Sequence, residues 1–146
     1  MATETYCGPI DYAVFELPAD ARPAQGLRLL LDQVDRGSIE LLDLEIVGRA
    51  ADGVPRLLTV DDLAGADGDE RAVFDGASSG VLDADDLAAI AGSLAPGRIA
   101  IAVVYEDRSL AAVAQAWQAE GGAELWSGGI DASALAHRLE TFEKEN

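Results

Sequence analysis

Apolar positions along the chain form two similar sets, each reading as a strand, a helix and a returning strand. The first runs from Tyr12-Ala13-Val14-Phe15 through Leu27, Leu30, Leu31 and Val34 to Leu42, Leu44 and Ile46. The second runs from Ile99-Ala100-Ile101-Ala102-Val103-Val104 through Leu110, Val113, Ala114 and Trp117 to Ala123 and Leu125. Period-two alternation marks strands, and recurrence at three and four residues marks a helix with one buried stripe. Glycines at Gly37 and Gly121-Gly122 close the two helices, where the chain must turn left-handed past a helix end.

Punctuation sets the element limits. Residues 1–10 lack periodicity, include Gly8-Pro9 and read as a flexible leader. The first strand is expected over about residues 11–17, stopped by Pro18. The first helix is expected over about residues 23–36, because Pro23 is tolerated in a first turn whose N–H groups have no partner. In the strand expected over about 39–47, Leu42, Leu44 and Ile46 share one face and Asp43 and Glu45 the other, so the charged face should meet water or a partner. Asp52-Gly53 signals a tight turn that returns residues 55–60 as a hairpin strand at the sheet edge, a position that tolerates Pro55.

Residues 61–80 are acidic and glycine-rich and read mostly as loop, with Leu63, Val73 and Phe74 as anchors. Asp83 is expected to cap a helix that carries Asp85 and Asp86 in its electropositive first turn. Leu87, Ile90, Ala91 and Leu94 form its apolar stripe, and Pro96-Gly97 ends it. A strand over about 98–105, a helix over 110–120, a strand over 123–127 and a last helix over about 131–142 complete the chain.

These elements predict an α+β fold: a ferredoxin-like split βαβ sandwich, mostly antiparallel, with four to five strands and extra helices. The 146 residues suit one domain, since domains commonly run to roughly 100–150 residues. That domain is expected over residues 11–142, with an acidic insertion at about 49–97. The Tyr12 and Ile99 strands should be central, adjacent and parallel, with the Leu42 and Leu125 strands outside them. The Ile99 strand is apolar at both parities, so both its faces should be covered. Two crossover helices cover one face. The other needs the helix at 83–94, the C-terminal helix or a second copy of the chain.

Composition narrows the partners. A net charge of −17 repels phosphate backbones and anionic membrane surfaces, so nucleic acid and membrane are not expected partners. The absence of any run near the ~20 apolar residues of a membrane span, and of a basic-then-apolar start, places the expected location in the cytoplasm. One cysteine, Cys7, forms no internal disulfide, which agrees with a reducing compartment. One lysine against nine arginines, with abundant Ala, Gly and Asp, is the residue usage of a GC-rich bacterial genome.

Chemistry is sparse. There is no P-loop and no glycine triplet joining a strand to a helix, and Gly76-Ala77-Ser78-Ser79-Gly80 reads as a loop. One Cys and one His cannot build a zinc site, and Asp61, Asp62, Asp67, Asp69 and Glu70 miss the ligand pattern of a calcium loop. His137 falls on a helix surface, and its spacing from Cys7 or any loop serine supports no nucleophilic arrangement. Glu16 and Glu106 end two strands expected to be adjacent, where a carboxylate pair could act as acid and base. Exposed strand-end charge is the plainer reading. Trp117 completes a helix stripe and should be core, while Trp126 should face the uncovered side of the sheet. No catalytic, cofactor-binding or metal-ligating residue is assigned, and no cofactor is expected.

Gly8-Pro9-Ile10-Asp11-Tyr12-Ala13-Val14-Phe15-Glu16-Leu17-Pro18, Asp35-Arg36-Gly37-Ser38-Ile39, Leu82-Asp83-Ala84-Asp85-Asp86-Leu87 and Leu94-Ala95-Pro96-Gly97 together resemble an uncharacterised family of small acidic actinobacterial proteins. The resemblance spans about residues 8–139 and brings structural motifs without catalytic residues. A wider group looks like the same halves separated by a membrane-like hairpin, which the polar segment 65–80 of this chain does not match. The sequence thus points to a non-enzymatic, self-associating cytoplasmic module. The alternative is a small-ligand binder or cofactor-independent enzyme with a cavity over the sheet.

Overall fold

A computed structural model describes residues 6–63, 74, 76–128, 136, 137, 139 and 140. Four strands, β1 (Ile10–Pro18), β2 (Ile39–Arg49), β3 (Pro55–Leu58) and β4 (Arg98–Asp107), make one open sheet in the order β1-β4-β2-β3. Every pairing in it is antiparallel. Three α-helices with both bounds among the described residues accompany the sheet: α1 (Ala24–Asp35), α2 (Ala84–Ser93) and α3 (Ala111–Ala119). The class is α+β.

The expected adjacency of the Tyr12 and Ile99 strands is present, but their direction is opposite to that expected. β1 and β4 run antiparallel, with Val14 opposite Ala102. β1 and β2 are each antiparallel to β4 and therefore parallel to one another, so α1 joins them across the strand that separates them. The β1–α1–β2 unit alone cannot set the direction of β4, which enters from far along the sequence.

Local chemistry explains the helix ends. Gly37, at φ +74°, lets the Gly37 and Ser38 N–H groups donate back to the Val34 and Gln33 carbonyls. At the start of α2, Asp83 accepts the Asp86 N–H at 2.9 Å and Asp86 accepts the Asp83 N–H at 3.0 Å, a reciprocal box at the positive end of the helix. The 50–54 turn closes with the Val54 carbonyl accepting the Ala50 N–H, and Gly53 takes φ +85°.

One face of the sheet carries the core. Leu44 and Ile46 of β2 and Ile99, Ile101 and Val103 of β4 pack with Leu27 of α1 and with Val60, Leu63 and Phe74. A bulge between Leu41 and Asp43 shifts the β2 register. Leu41 rather than Leu42 therefore joins the core with Leu44, because a bulge moves one residue out of the alternation.

The second half of the chain departs from expectation. Residues 122–128 form no ladder with any strand, so the expected fifth strand is absent among the described residues. α3 buries none of its residues, and Trp117, expected in the core, is 68% exposed. A helix stripe predicts an apolar surface but not the presence of something to cover it. Of the expected helix at 131–142, positions 136, 137, 139 and 140 are helical and the rest lies outside the described residues, as does Val73. No described helix is long and apolar enough to cross a membrane.

The faces of α1 differ sharply in what they cover. Leu27→Ala should lower the unfolding free energy in urea by about 2–5 kcal/mol, as expected for a truncated core leucine. Leu29→Ala, at a position 56% exposed, should change it by less than ~0.5 kcal/mol.

Candidate functional site

The face of the sheet opposite α1 holds two polar features. It is built by Tyr12, Val14 and Glu16 of β1, by Ala100, Ala102 and Val104 of β4, and by Asp43, Glu45 and Val47 of β2. Small side chains at Ala100 and Ala102 let a helix approach closely. α2 packs there over β2, β3 and β4 and leaves the β1 side open. Between α2 and β1 lies a groove of about 610 Å³, with Tyr12 and Val14 on one wall and Ala89, Ile90 and Leu94 on the other. Ala100 also lines it, and Glu16, Asp86 and Ser93 supply its polar groups.

The Asp43–Glu45 face, expected to meet water or a partner, is buried: Asp43 is 0% exposed and Glu45 6%. The covering comes from the segment after Phe74. Asp43 accepts the Ser79 N–H at 2.9 Å and the Leu82 N–H at 2.8 Å, and Glu45 accepts the Ser78 hydroxyl at 2.6 Å. The Ser79 hydroxyl donates to the carbonyl of the bulge residue Leu42 at 2.5 Å, and the Leu44 N–H donates to the Ala77 carbonyl. The bulge frees a β2 carbonyl and the serine segment satisfies it. These contacts form a latch between β2 and residues 77–82.

The two carboxyl groups shift in opposite directions. Burial pushes the Asp43 pKa up, but the backbone N–H groups of Leu82 and Ser79, with the side chains of Glu45 and Ser79, more than offset it. The net position lies below the usual carboxylate range. Burial raises the Glu45 pKa, and the neighbouring Asp43 reinforces that shift against the opposing Ser78 hydroxyl. Asp43 is thus the more acidic of the two. Leu82 connects the latch to the groove, since Asp43 holds its N–H and its side chain lines the wall.

The structure separates the carboxylates considered as an acid–base pair. Glu16 sits opposite Ala100, whereas Glu106 sits opposite Ile10. Six residues of strand place them about 20 Å apart. The cause is the antiparallel direction of β1 and β4, which puts the two strand ends at opposite edges. Glu16 pairs with Arg98 at 2.6 Å and lines the groove. Glu106 is 8% exposed and accepts the Gly8 N–H at 2.9 Å and the Arg108 guanidinium at 2.9 and 3.0 Å. That cluster fixes the chain at Gly8, where a β-carbon would overlap the Asp107 carbonyl.

Cys7 is free and exposed, and His137 is exposed at a helical position. Asp62 accepts the Thr59 N–H at 2.8 Å and hydroxyl at 3.1 Å, which holds its carboxyl below the usual range and ties it to a helical turn. Asp67, Asp69 and Glu70 lie outside the described residues. Among the described residues no group of three or more His, Cys, Asp or Glu is placed to hold a metal ion. Sequence reasoning missed Asp43, Glu45, Ser78 and Ser79 as a set. The available signal was two acids on a strand with hydroxyls far downstream, which only a contact joins.

The latch predicts a two-sided pH dependence. The depressed Asp43 contributes stability above its unfolded pKa that is lost as pH falls through its folded pKa. The raised Glu45 contributes stability below its unfolded pKa that is lost as pH rises through its folded pKa. Glu45→Gln should keep a donor to Asp43 and remove the loss on the alkaline side, flattening the urea midpoint against pH. Asp43→Asn leaves a buried N–H facing a donor and should cost about 2–3 kcal/mol at neutral pH. No protein-family model, no curated protein and no solved structure matches the chain.

Proposed function

We propose that this chain is a non-enzymatic, self-associating cytoplasmic module of ferredoxin-like design. The observation that carries the reading is the outer edge of β1. β1 pairs with β4 on one side and has no described partner on the other, and Ile10, Tyr12, Val14 and Phe15 along it are 61, 74, 43 and 57% exposed. A nine-residue edge with apolar side chains on both faces is a template for pairing with another chain. Exposed apolar side chains recur on α3 and at Leu125 and Trp126, where single scattered residues would need no explanation but a cluster does. The Asp43–Glu45 pair does not compete with this reading, because it is enclosed and spent on hydrogen bonds to the backbone and Ser78.

Light scattering at micromolar concentration should report a dimer or larger species, and a strict monomer would overturn the proposal. Because each copy carries a charge of −17, association should tighten as ionic strength rises and screens the repulsion.

The groove favours a second reading, a binder of a small apolar ligand. It is walled on both sides, and Tyr12, Val14, Ile90 and Leu94 give it a mostly apolar lining. Nile red should fluoresce on the wild type and lose most of that signal in Ala89→Phe, which fills the groove from an exposed helix position. Equal fluorescence from the two proteins would remove this reading.

A further inference from the structure

We infer that the groove between α2 and β1 selects its ligand by charge: it takes an uncharged ring compound against Tyr12 and turns away an acid of the same size. The inference rests on the small-ligand reading of the groove and adds the chemical class that the groove accepts.

The walls set the preference for a ring. Val14 of β1, Leu82 ahead of α2, and Ile90 and Leu94 line the space with apolar side chains. Its volume of about 610 Å³ lies within the roughly 300–1,000 Å³ of small-molecule pockets. Ala89 and Ala100 carry only methyl groups, which leaves room beside the Tyr12 ring. Tyr12 is 74% exposed, so most of that ring is open to a ligand. Ring pairs gain from offset or edge-on contact beyond the area they bury, and this favours an aromatic partner over a simple hydrocarbon chain.

The polar groups set the preference for no charge. Glu16 pairs with Arg98 at 2.6 Å, and its second oxygen accepts the Ala95 N–H at 3.4 Å. Asp86 accepts the Asp83 N–H at 3.0 Å in the capping box of α2. The Ser93 hydroxyl donates to the Ala89 carbonyl at 2.9 Å. These groups are committed to the protein, and Tyr12 is the remaining polar side chain of the lining. No Lys, Arg or His stands among the described residues of that lining. Arg98 does not fill the gap, because Glu16 already neutralises it. An anion entering the groove would therefore leave water without a counter-charge, and it would also meet the field of a chain carrying −17. An uncharged ring meets neither cost.

The test compares two dyes built on one frame: N-phenylnaphthylamine, which is uncharged, and anilinonaphthalene sulfonate, which adds a single negative charge. Titrated by fluorescence into the full chain at neutral pH and low salt, the uncharged dye should bind roughly tenfold more tightly. Ala89→Phe should remove most of its signal, which locates it in the groove. Tyr12→Ala should weaken it about two- to tenfold, with far-ultraviolet circular dichroism unchanged because the side chain is exposed. Glu16→Gln keeps an acceptor for Arg98 but leaves its charge unanswered, so it should raise the affinity for the sulfonate several-fold and narrow the gap between the dyes. Equal affinity for both dyes, each lost in Ala89→Phe, would overturn the charge selection and leave the small-ligand reading standing. Full affinity for the uncharged dye in Tyr12→Ala would overturn the ring contact. Dye binding that survives Ala89→Phe, or no binding of either dye, would overturn the selection and the small-ligand reading together.

Discussion

Everything in this fold depends on β4 being enclosed. It is the strand between β1 and β2, and six consecutive residues, Ile99 to Val104, are buried. Removing such a strand would leave β1 with no ladder and β2 with only the short β3. It is apolar at both parities, so it must be covered on both faces, and two unlike solutions are used. On one face α1, Val60, Leu63 and Phe74 supply large apolar side chains. On the other, β4 presents mostly alanine and valine, and α2 comes down close to them.

The second solution has a polar consequence. To reach the far face, the chain between β3 and β4 must run back over β2, and it crosses Asp43 and Glu45 on the way. Burying two carboxyl groups side by side would be costly if both were charged. Here burial is outweighed at Asp43 by the Leu82 and Ser79 N–H groups, which hold it below the usual carboxylate range, while burial and the neighbouring Asp43 push Glu45 above its ordinary value. The insertion is thereby fixed to the sheet by directional bonds rather than by apolar burial alone. That same segment delivers Leu82 to the groove wall.

The two halves of the chain end differently although their patterns are alike. In the first, α1 buries Leu27 and β2 joins the sheet. In the second, α3 buries none of its residues and residues 122–128 form no ladder among the described residues. An apolar stripe is a demand for a surface, and whether the demand is met within one chain depends on contacts between distant segments.

Element type was legible from local pattern, because alternation, helical recurrence and turn residues act within a few positions. α1, α2 with its Asp83 cap, the hairpin at Asp52-Gly53 and the strand at Ile99 were all readable that way. The adjacency of β1 and β4 also followed, from the doubled βαβ pattern. Strand direction, the burial of Asp43 and Glu45, the bulge that exchanged Leu41 for Leu42 in the core and the separation of Glu16 from Glu106 were decided only in the tertiary structure. Each depends on pairing between segments tens of residues apart, such as Ser78 with Glu45, separated by 33 positions. No periodicity within either segment encodes such a meeting, because its free energy exists only once the chain has brought both sides together.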